Sequence, residues 1–331
     1  MYVLGVDGGA TSTRALIGTH DGELLGFGRA GPSNHLQGEA GRRRLRAALT
    51  TSISAALQQS GIDASAIEAC WLGMTGTWGD PDDHALITSI THELVPCPRI
   101  RVGGDVHNAL LGASFGQPGV VVYAGTGSIA YAIDEHGNAH RTGGWGYLID
   151  DLGGAYHTGR AALSAVFRAA DGRQPPTSLH DRLLQHLQVP SLDALRKRVY
   201  ADDGMDRPTI AHLARLIAAA ANEGDAVATT ILEDAAHHLA ELATTTLAKL
   251  PAGQATRYHV YIAGGLFDAG PHLLDPFTTT LEATNPGTEV RTPAFPPIIG
   301  AFITAVQMRS RPAPELPRQR LANAVTRMGI S

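Results

Sequence analysis

Near the start of the chain an apolar run, Tyr2 to Val6, ends in Asp7-Gly8-Gly9-Ala10-Thr11-Ser12-Thr13. A run of this length reads as a buried strand. Glycines at its end let backbone N–H groups approach an anion, and the hydroxyls add donors. Asp7 suits a divalent cation, directly or through water. The residues after the turn narrow the fold further. In dinucleotide-binding and Walker loops the glycines open a helix. Here Thr13 to Gly18 reads as a strand, Asp21-Gly22 as a turn, and Leu24 to Gly28 as a third strand. The glycines therefore sit in a β-hairpin. The only lysines are Lys197 and Lys249, and neither follows a glycine-rich loop, so a P-loop is excluded.

The pattern returns about 118 residues later. Gly119 to Tyr123 is an apolar strand and Ala124-Gly125-Thr126-Gly127-Ser128 a second glycine–hydroxyl turn. Ile129 to Ile133 alternates as a strand, and Glu135-His136-Gly137-Asn138 is a hairpin turn. We read this as an internal duplication, two similar α/β domains each offering a glycine hairpin to a shared cleft. Gly125 to Ala130 matches the string G-x-G-x-x-A, but a strand comes after it, which argues against a dinucleotide unit.

Between the hairpins, Gly38 to Ser60 is an amphipathic helix with Leu45, Leu49, Ile53 and Leu57 on one face. Ile67 to Gly73 is a strand. Asp80 and Pro81 open a helix to Leu94 as N-cap and first residue. Ile100 to Val102 is a short strand that stops at Gly103-Gly104-Asp105, before another helix. Past the second hairpin comes a glycine-rich loop, residues 142–154, and a helix from Ala155 to about Asp171. Next come four more helical runs, Leu179–Leu187, Leu192–Tyr200, Arg207–Asn222 and Asp225–Leu250. Tyr258 to Ala263 is a strand ending in Gly264-Gly265. Residues 298–308 form a helix, and the tail is expected as a short surface helix.

At 331 residues the chain has room for two cores. Its 44% apolar and 17% charged residues describe an ordinary globular protein, and a net charge of −5 gives no reason to expect a nucleic-acid or membrane partner. Cys70 and Cys97, the only cysteines, make neither a metal pattern nor a disulfide framework and read as small buried apolar residues. No signal peptide is expected at the start, and no apolar run reaches the ~18 residues of a membrane helix. A reducing cytoplasm is the expected compartment.

Asp105 stands after two glycines at a strand end. It reads as a helix N-cap, as a general base for a substrate hydroxyl, or as both. His107 reads as structural. Trp145, among glycines, suits stacking on a sugar face, with Asn34, Asp105 and Asp151 as partners for its hydroxyls. Gly264-Gly265 is either a tight connection or a place where backbone approaches a nucleotide.

The ordered set Gly5 to Thr13, Pro32-Ser-Asn-His35, Asp105, Gly125-Thr-Gly-Ser128, Gly143-Gly-Trp-Gly146, Asp151 and Ala263-Gly-Gly-Leu266 resembles the N-acetylglucosamine kinase group of the BadF/BadG/BcrA/BcrD-type ATPases, in the sugar kinase, Hsp70 and actin superfamily. The resemblance runs from residue 2 to about 306. It implies two ribonuclease-H-like domains around a central cleft. We place them at residues 1–116 and 117–310, with a helical insert at about 175–250 and a tail from 311. It implies ATP and Mg²⁺, a sugar substrate and a possible homodimer. By position, Asp7 supports the metal. Gly8, Gly9, Ala10, Thr11 and Thr13 line the first phosphate turn, and Gly125, Thr126 and Gly127 the second. Gly264 and Gly265 match the adenosine turn and Asp105 the catalytic base. Asn34, His35, Thr126, Gly144, Trp145 and Asp151 match acceptor contacts.

Two positions depart from the group. Ile129 stands where Asn is usual, and Asp150-Asp151-Leu152-Gly153-Gly154 stands for Gly-Asp-Glu-Gly-Ser. Both remove polar groups from the acceptor site, where hydrogen bonding sets discrimination. The expected activity is ATP-dependent phosphorylation of an amino sugar, N-acetylglucosamine at its 6-hydroxyl, with glucosamine or another hexose derivative as alternatives. An activator ATPase with a cysteine-bound iron–sulfur cluster and a non-catalytic sugar sensor are the readings from other classes.

Overall fold

The computed structural model describes residues 1–34, 38–77, 80–251, 258–309 and 316–330. The chain forms two units, Met1–Gln117 with Pro293–Ser331, and Pro118–Thr292.

In the first unit, β1 (Tyr2–Gly8), β2 (Thr13–Thr19), β3 (Leu24–Ala30), β4 (Ile67–Met74) and β5 (Ile100–Gly103) make one sheet in the order β3-β2-β1-β4-β5. The first three strands are an antiparallel meander, and β4 and β5 continue the sheet parallel to β1. Side chains alternate across it, as strand geometry requires. Leu4 and Val6 join a core with Leu45, Leu49 and Ile53 of α1 (Gly38–Ser60) and Ile87 and Ile90 of α2 (Pro81–Leu94). Val3 and Leu16 face the other side. The start of α2 is as expected: Asp80 accepts from the N–H groups of Asp82 at 2.9 Å and Asp83 at 3.4 Å, and Pro81 opens the helix. The sheet edge at β5 leads into α3 (Asp105–Ala113).

In the second unit, β6 (Gly119–Ala124), β7 (Ser128–Ile133), β8 (Ala139–Gly143), β9 (Val260–Ala263) and β10 (Val290–Arg291) run in the order β10-β9-β6-β7-β8. Pairing is antiparallel from β6 to β8 and parallel across β6, β9 and β10. Taken in chain order, this is the connectivity of the first sheet, so the duplication read from the glycine hairpins exists as topology. The helices are α4 (Ala155–Ala170), α5 (Leu179–His186), α6 (Leu192–Val199), α7 (Arg207–His212), α8 (Ala214–Asn222), α9 (Ala226–Leu247) and α10 (Pro271–Thr284). The single helix expected over 207–222 is two, because Leu213 bonds back to Ile210 rather than one residue further and tightens the chain there. The alanines of α9 (Ala228, Ala235, Ala236, Ala240, Ala243) are buried in one core with Val120, Val122 and Ala130 of the sheet.

The last helices lie elsewhere than the sequence suggests. α11 (Pro297–Arg309) and α12 (Arg318–Arg327) belong to the first unit, so the second ends at Thr292 and not near residue 310. The cause is the character of α11. Residues 298–306 are all buried, and a helix apolar on every side needs cover on every side. It finds that cover against β1, β4 and α3. The approach is close: a Cβ on Gly300 would stand 1.9 Å from the carbonyl oxygen of Asn108. Leu321 of α12 is fully buried in the same cluster, so the tail closes a core rather than decorating a surface.

Gly300→Ala is therefore expected to lower the stability of the first unit by roughly 1–3 kcal/mol, read as a shift in the urea midpoint. An unchanged midpoint would contradict this helix crossing.

Candidate active site

Because β1, β4 and β5 are parallel neighbours, their carboxyl ends emerge on one edge of the first sheet. That edge carries Asp7, then Thr75, then Gly104-Asp105. Ligands of open α/β sheets bind at such edges. Asp7 is 7% exposed. One oxygen accepts from Nδ2 of Asn108 at 2.9 Å, and the other faces Arg14 of β2 at 3.6 Å. Burial raises its pKa, while the Asn108 amide and the Arg14 charge oppose the rise.

Asp105 is the first helical residue of α3, and Gly104 takes the cap position. The N-cap reading is thus off by one residue. The Asp105 carboxylate is pushed up to about 7, first by burial and next by the negative charge of Asp7. The Thr75 hydroxyl and the Val106 N–H hydrogen-bond it and oppose the rise. A carboxyl held near neutrality is what a general base for a hydroxyl requires. His107 is structural, as expected. Burial lowers its pKa to about 4, its ring lies 4.6 Å from that of Trp71, and Nε2 is 3.2 Å from the Thr304 hydroxyl.

Sequence reasoning missed Asn108. It is fully buried one turn after Asp105, on the inward face of α3. Its Nδ2 also approaches the carbonyls of Val6 and Gly73, and its Oδ1 accepts from Trp71 Nε1 at 2.7 Å. A lone amide on the apolar side of a short helix was the available signal. Thr75 and Arg14 were missed as well.

The second unit has its own cluster. The turn from Gly125 to Ser128 hands its carbonyls to the start of α4: Ala155 N–H bonds Gly125 O at 2.8 Å and Tyr156 N–H bonds Thr126 O at 3.0 Å. Gly264 lies against the same turn, where its Cβ would stand 2.4 Å from Ala124 O. Asp151 is 5% exposed and has φ 58. It accepts from the Gly146 N–H at 3.2 Å and pairs with Arg207 at 3.4 Å. Burial raises its pKa, and the Gly146 hydrogen bond and then Arg207 oppose the rise. Ser128 Oγ bonds Leu152 O at 2.6 Å, tying this loop to the turn. The second unit thus brings together Gly125, Thr126, Gly127, Asp151 and Gly264. Ile129 packs on Gly144, whose Cβ would meet its Cδ1 at 2.7 Å.

Other expected residues divide. Ala10 and Thr11 are exposed in the first turn, and Gly9 N–H closes that turn on Ser12 O at 2.9 Å. Gly8 is buried against Met74. Thr13 is fully buried and donates its hydroxyl to Gly31 O at 2.9 Å, so it ties strand to loop and does not line the turn. The Asn34 carbonyl accepts from Arg44. Trp145 is 64% exposed, with the Arg141 guanidinium 4.0 Å over its ring. Gly265 is exposed at the start of a short 3-10 turn, Gly265–Ala269. His35 lies outside the described residues.

Among the described residues no three His, Cys, Asp or Glu side chains converge as a metal cage. Mg²⁺ does not need one: it is ordinarily held by one or two carboxylates, water and substrate phosphates. Asp7 and Asp105, two acids whose charges oppose each other, fit that donor set. The same opposition predicts a pH effect. The protonated Asp105 stabilises the fold. That contribution is complete below the ordinary value of 3.8 and is lost as pH rises through about 7. Asp105→Asn cannot ionise. It is expected to melt above the parent protein at about pH 8, and the gap should shrink by about pH 5. Calorimetry without nucleotide or cation reads this, and a gap independent of pH would contradict it.

Known proteins resemble the chain over almost its whole length. Residues 4–305 match the BadF/BadG/BcrA/BcrD ATPase family. An N-acetylmuramic acid/N-acetylglucosamine kinase of Clostridium acetobutylicum is 29% identical over 304 residues, covering 92% of this chain and 98% of that one. An N-acetyl-D-glucosamine kinase of Dictyostelium discoideum is 26% identical over 315 residues, with coverage of 92% and 98%. A solved candidate N-acetylglucosamine kinase from Chromobacterium violaceum superposes with a TM-score of 0.73 at 27% identity, covering 92% of this chain and 99% of that one. With a match over almost its whole length, the chain belongs to the BadF/BadG/BcrA/BcrD ATPase family.

Proposed function

We propose that the chain is an ATP-dependent carbohydrate kinase that phosphorylates an amino sugar, N-acetylglucosamine at its 6-hydroxyl. The observation that carries this reading is Asp105: a carboxylate poised at about 7, at a strand end beside a second buried acid. Binding alone needs no base, so the sensor reading has no use for that arrangement. Full-length relatives named as kinases of N-acetylglucosamine and N-acetylmuramic acid support the acceptor class. Cys70 and Cys97 are buried in the core of the first unit, which leaves the activator reading without surface ligands for a cluster.

In this mechanism the ionised Asp105 accepts the proton of the acceptor hydroxyl as the oxygen attacks the γ-phosphorus and the bond to ADP breaks. Backbone N–H groups of the glycine turns carry charge on the phosphates. Asp7 would hold Mg²⁺, which would supply charge neutralisation for the phosphates. Asn108 and Arg14 keep Asp7 in place. Asp151 anchors the acceptor.

Asp105→Asn is expected to keep ATP binding, measured by calorimetry, and to lose about 10²–10⁴-fold in sugar-dependent ADP release. Unchanged turnover would overturn the assignment. The same coupled assay over N-acetylglucosamine, N-acetylmuramic acid, glucosamine and glucose names the acceptor.

A further inference from the structure

We propose that Arg207, in the helical insert of the second unit, is a positioning residue that aims Asp151 at the acceptor. This rests on the reading of Asp151 as an acceptor contact. Asp151 is a non-glycine residue in the left-handed region with its carboxylate almost wholly buried. Such a conformation persists only where the surroundings over-determine it. Two groups do so: the Gly146 N–H takes Oδ1, and Arg207 Nη2 stands 3.4 Å from Oδ2.

The pair lies directly on the second glycine turn. A Cβ on Gly127 would stand 2.3 Å from Asp151 Oδ2 and 3.2 Å from Arg207 Nη2. Any shift of the guanidinium is therefore felt at Asp151 and at the turn. Arg207 is itself delivered rigidly. It opens α7, whose start is capped by Asp206 accepting from Thr209 N–H at 2.9 Å. α7 docks on α4 where a Cβ on Gly159 would stand 2.0 Å from Ile210 O. The guanidinium carbon lies 5.0 Å from the Tyr147 ring, another residue of the Asp151 loop. One cation thus ties the insert to the loop and turn. Its charge opposes the burial that raises the Asp151 pKa, and so favours the carboxylate form that accepts hydrogen bonds from sugar hydroxyls.

Steady-state kinetics with N-acetylglucosamine and ATP varied separately test this, on the parent chain, Arg207→Gln, Arg207→Lys, Asp151→Asn and the Asp151→Asn/Arg207→Gln double variant. Arg207→Gln should raise KM for the sugar about ten- to hundredfold, with kcat and KM for ATP nearly unchanged. Arg207→Lys should recover part of the loss. The double variant should be no worse than Asp151→Asn alone, the mark of two residues acting as one. An unchanged sugar KM in Arg207→Gln, with a raised one in Asp151→Asn, overturns this inference alone. A fall in kcat at constant sugar KM also overturns it, because Arg207 would then act on the transferring group. If Asp151→Asn leaves sugar KM unchanged, the acceptor reading of Asp151 fails first.

Discussion

Two carboxylates, Asp7 and Asp105, share the carboxyl edge of one sheet close enough for the charge of one to raise the pKa of the other, and the first unit is arranged around that cost. A buried charge without partners is strongly unfavourable. Asp7 has an amide on one oxygen and a guanidinium near the other. Asp105 has only a hydroxyl and backbone N–H groups, so its proton affinity rises. The asymmetry separates the two acids: burial raises both, but Asp7 has an amide and a guanidinium opposing the rise, whereas Asp105, with the Asp7 charge beside it, is pushed up to about 7. Asn108 couples the two, because it bonds Asp7 from the helix that Asp105 begins. The packing of α11 supports this from behind. Its Gly300 lies on the Asn108 backbone, so α11 fixes the helix that carries Asp105.

The two sheets share a connectivity but not a chemistry. In the first, the acid Asp7 is the next-to-last residue of the leading strand. In the second, Tyr123 holds that position, and the acid comes from the loop after the third strand. The turn between β6 and β7 then rests on the start of α4 through Gly125 O and Thr126 O, while Asp151 and Ser128 fasten the loop back onto it. The helical insert adds Arg207 to that cluster. A duplicated scaffold has thus kept its hairpins while placing its buried acids differently, on the leading strand of one copy and in a loop of the other.

Much of the fold was legible because hairpin chemistry is local. Glycine turns, alternating strands and the Asp80-Pro81 helix start are written within a few residues of where they act. The misplaced boundary near residue 310 was not legible, since nothing within α11 says which sheet covers it. β10 is two residues long and too short for a period. In the site, Asp7, Asp105 and Asp151 stood out by neighbouring glycines. Arg207 did not, because its partner is 56 residues away in sequence. Thr13 misled for a related reason: a hydroxyl beside a glycine turn looks like a donor to phosphate, and only the fold reveals that Gly31 takes its hydrogen.

If Asp105, with its pKa near 7, takes the acceptor proton, a pH–rate profile shows it most directly. With kcat/KM for N-acetylglucosamine measured from about pH 5 to 9, a rise of about tenfold per pH unit that levels off near 7 is expected. A profile flat across this range, or one that bends only near the ordinary carboxylate value, would contradict it.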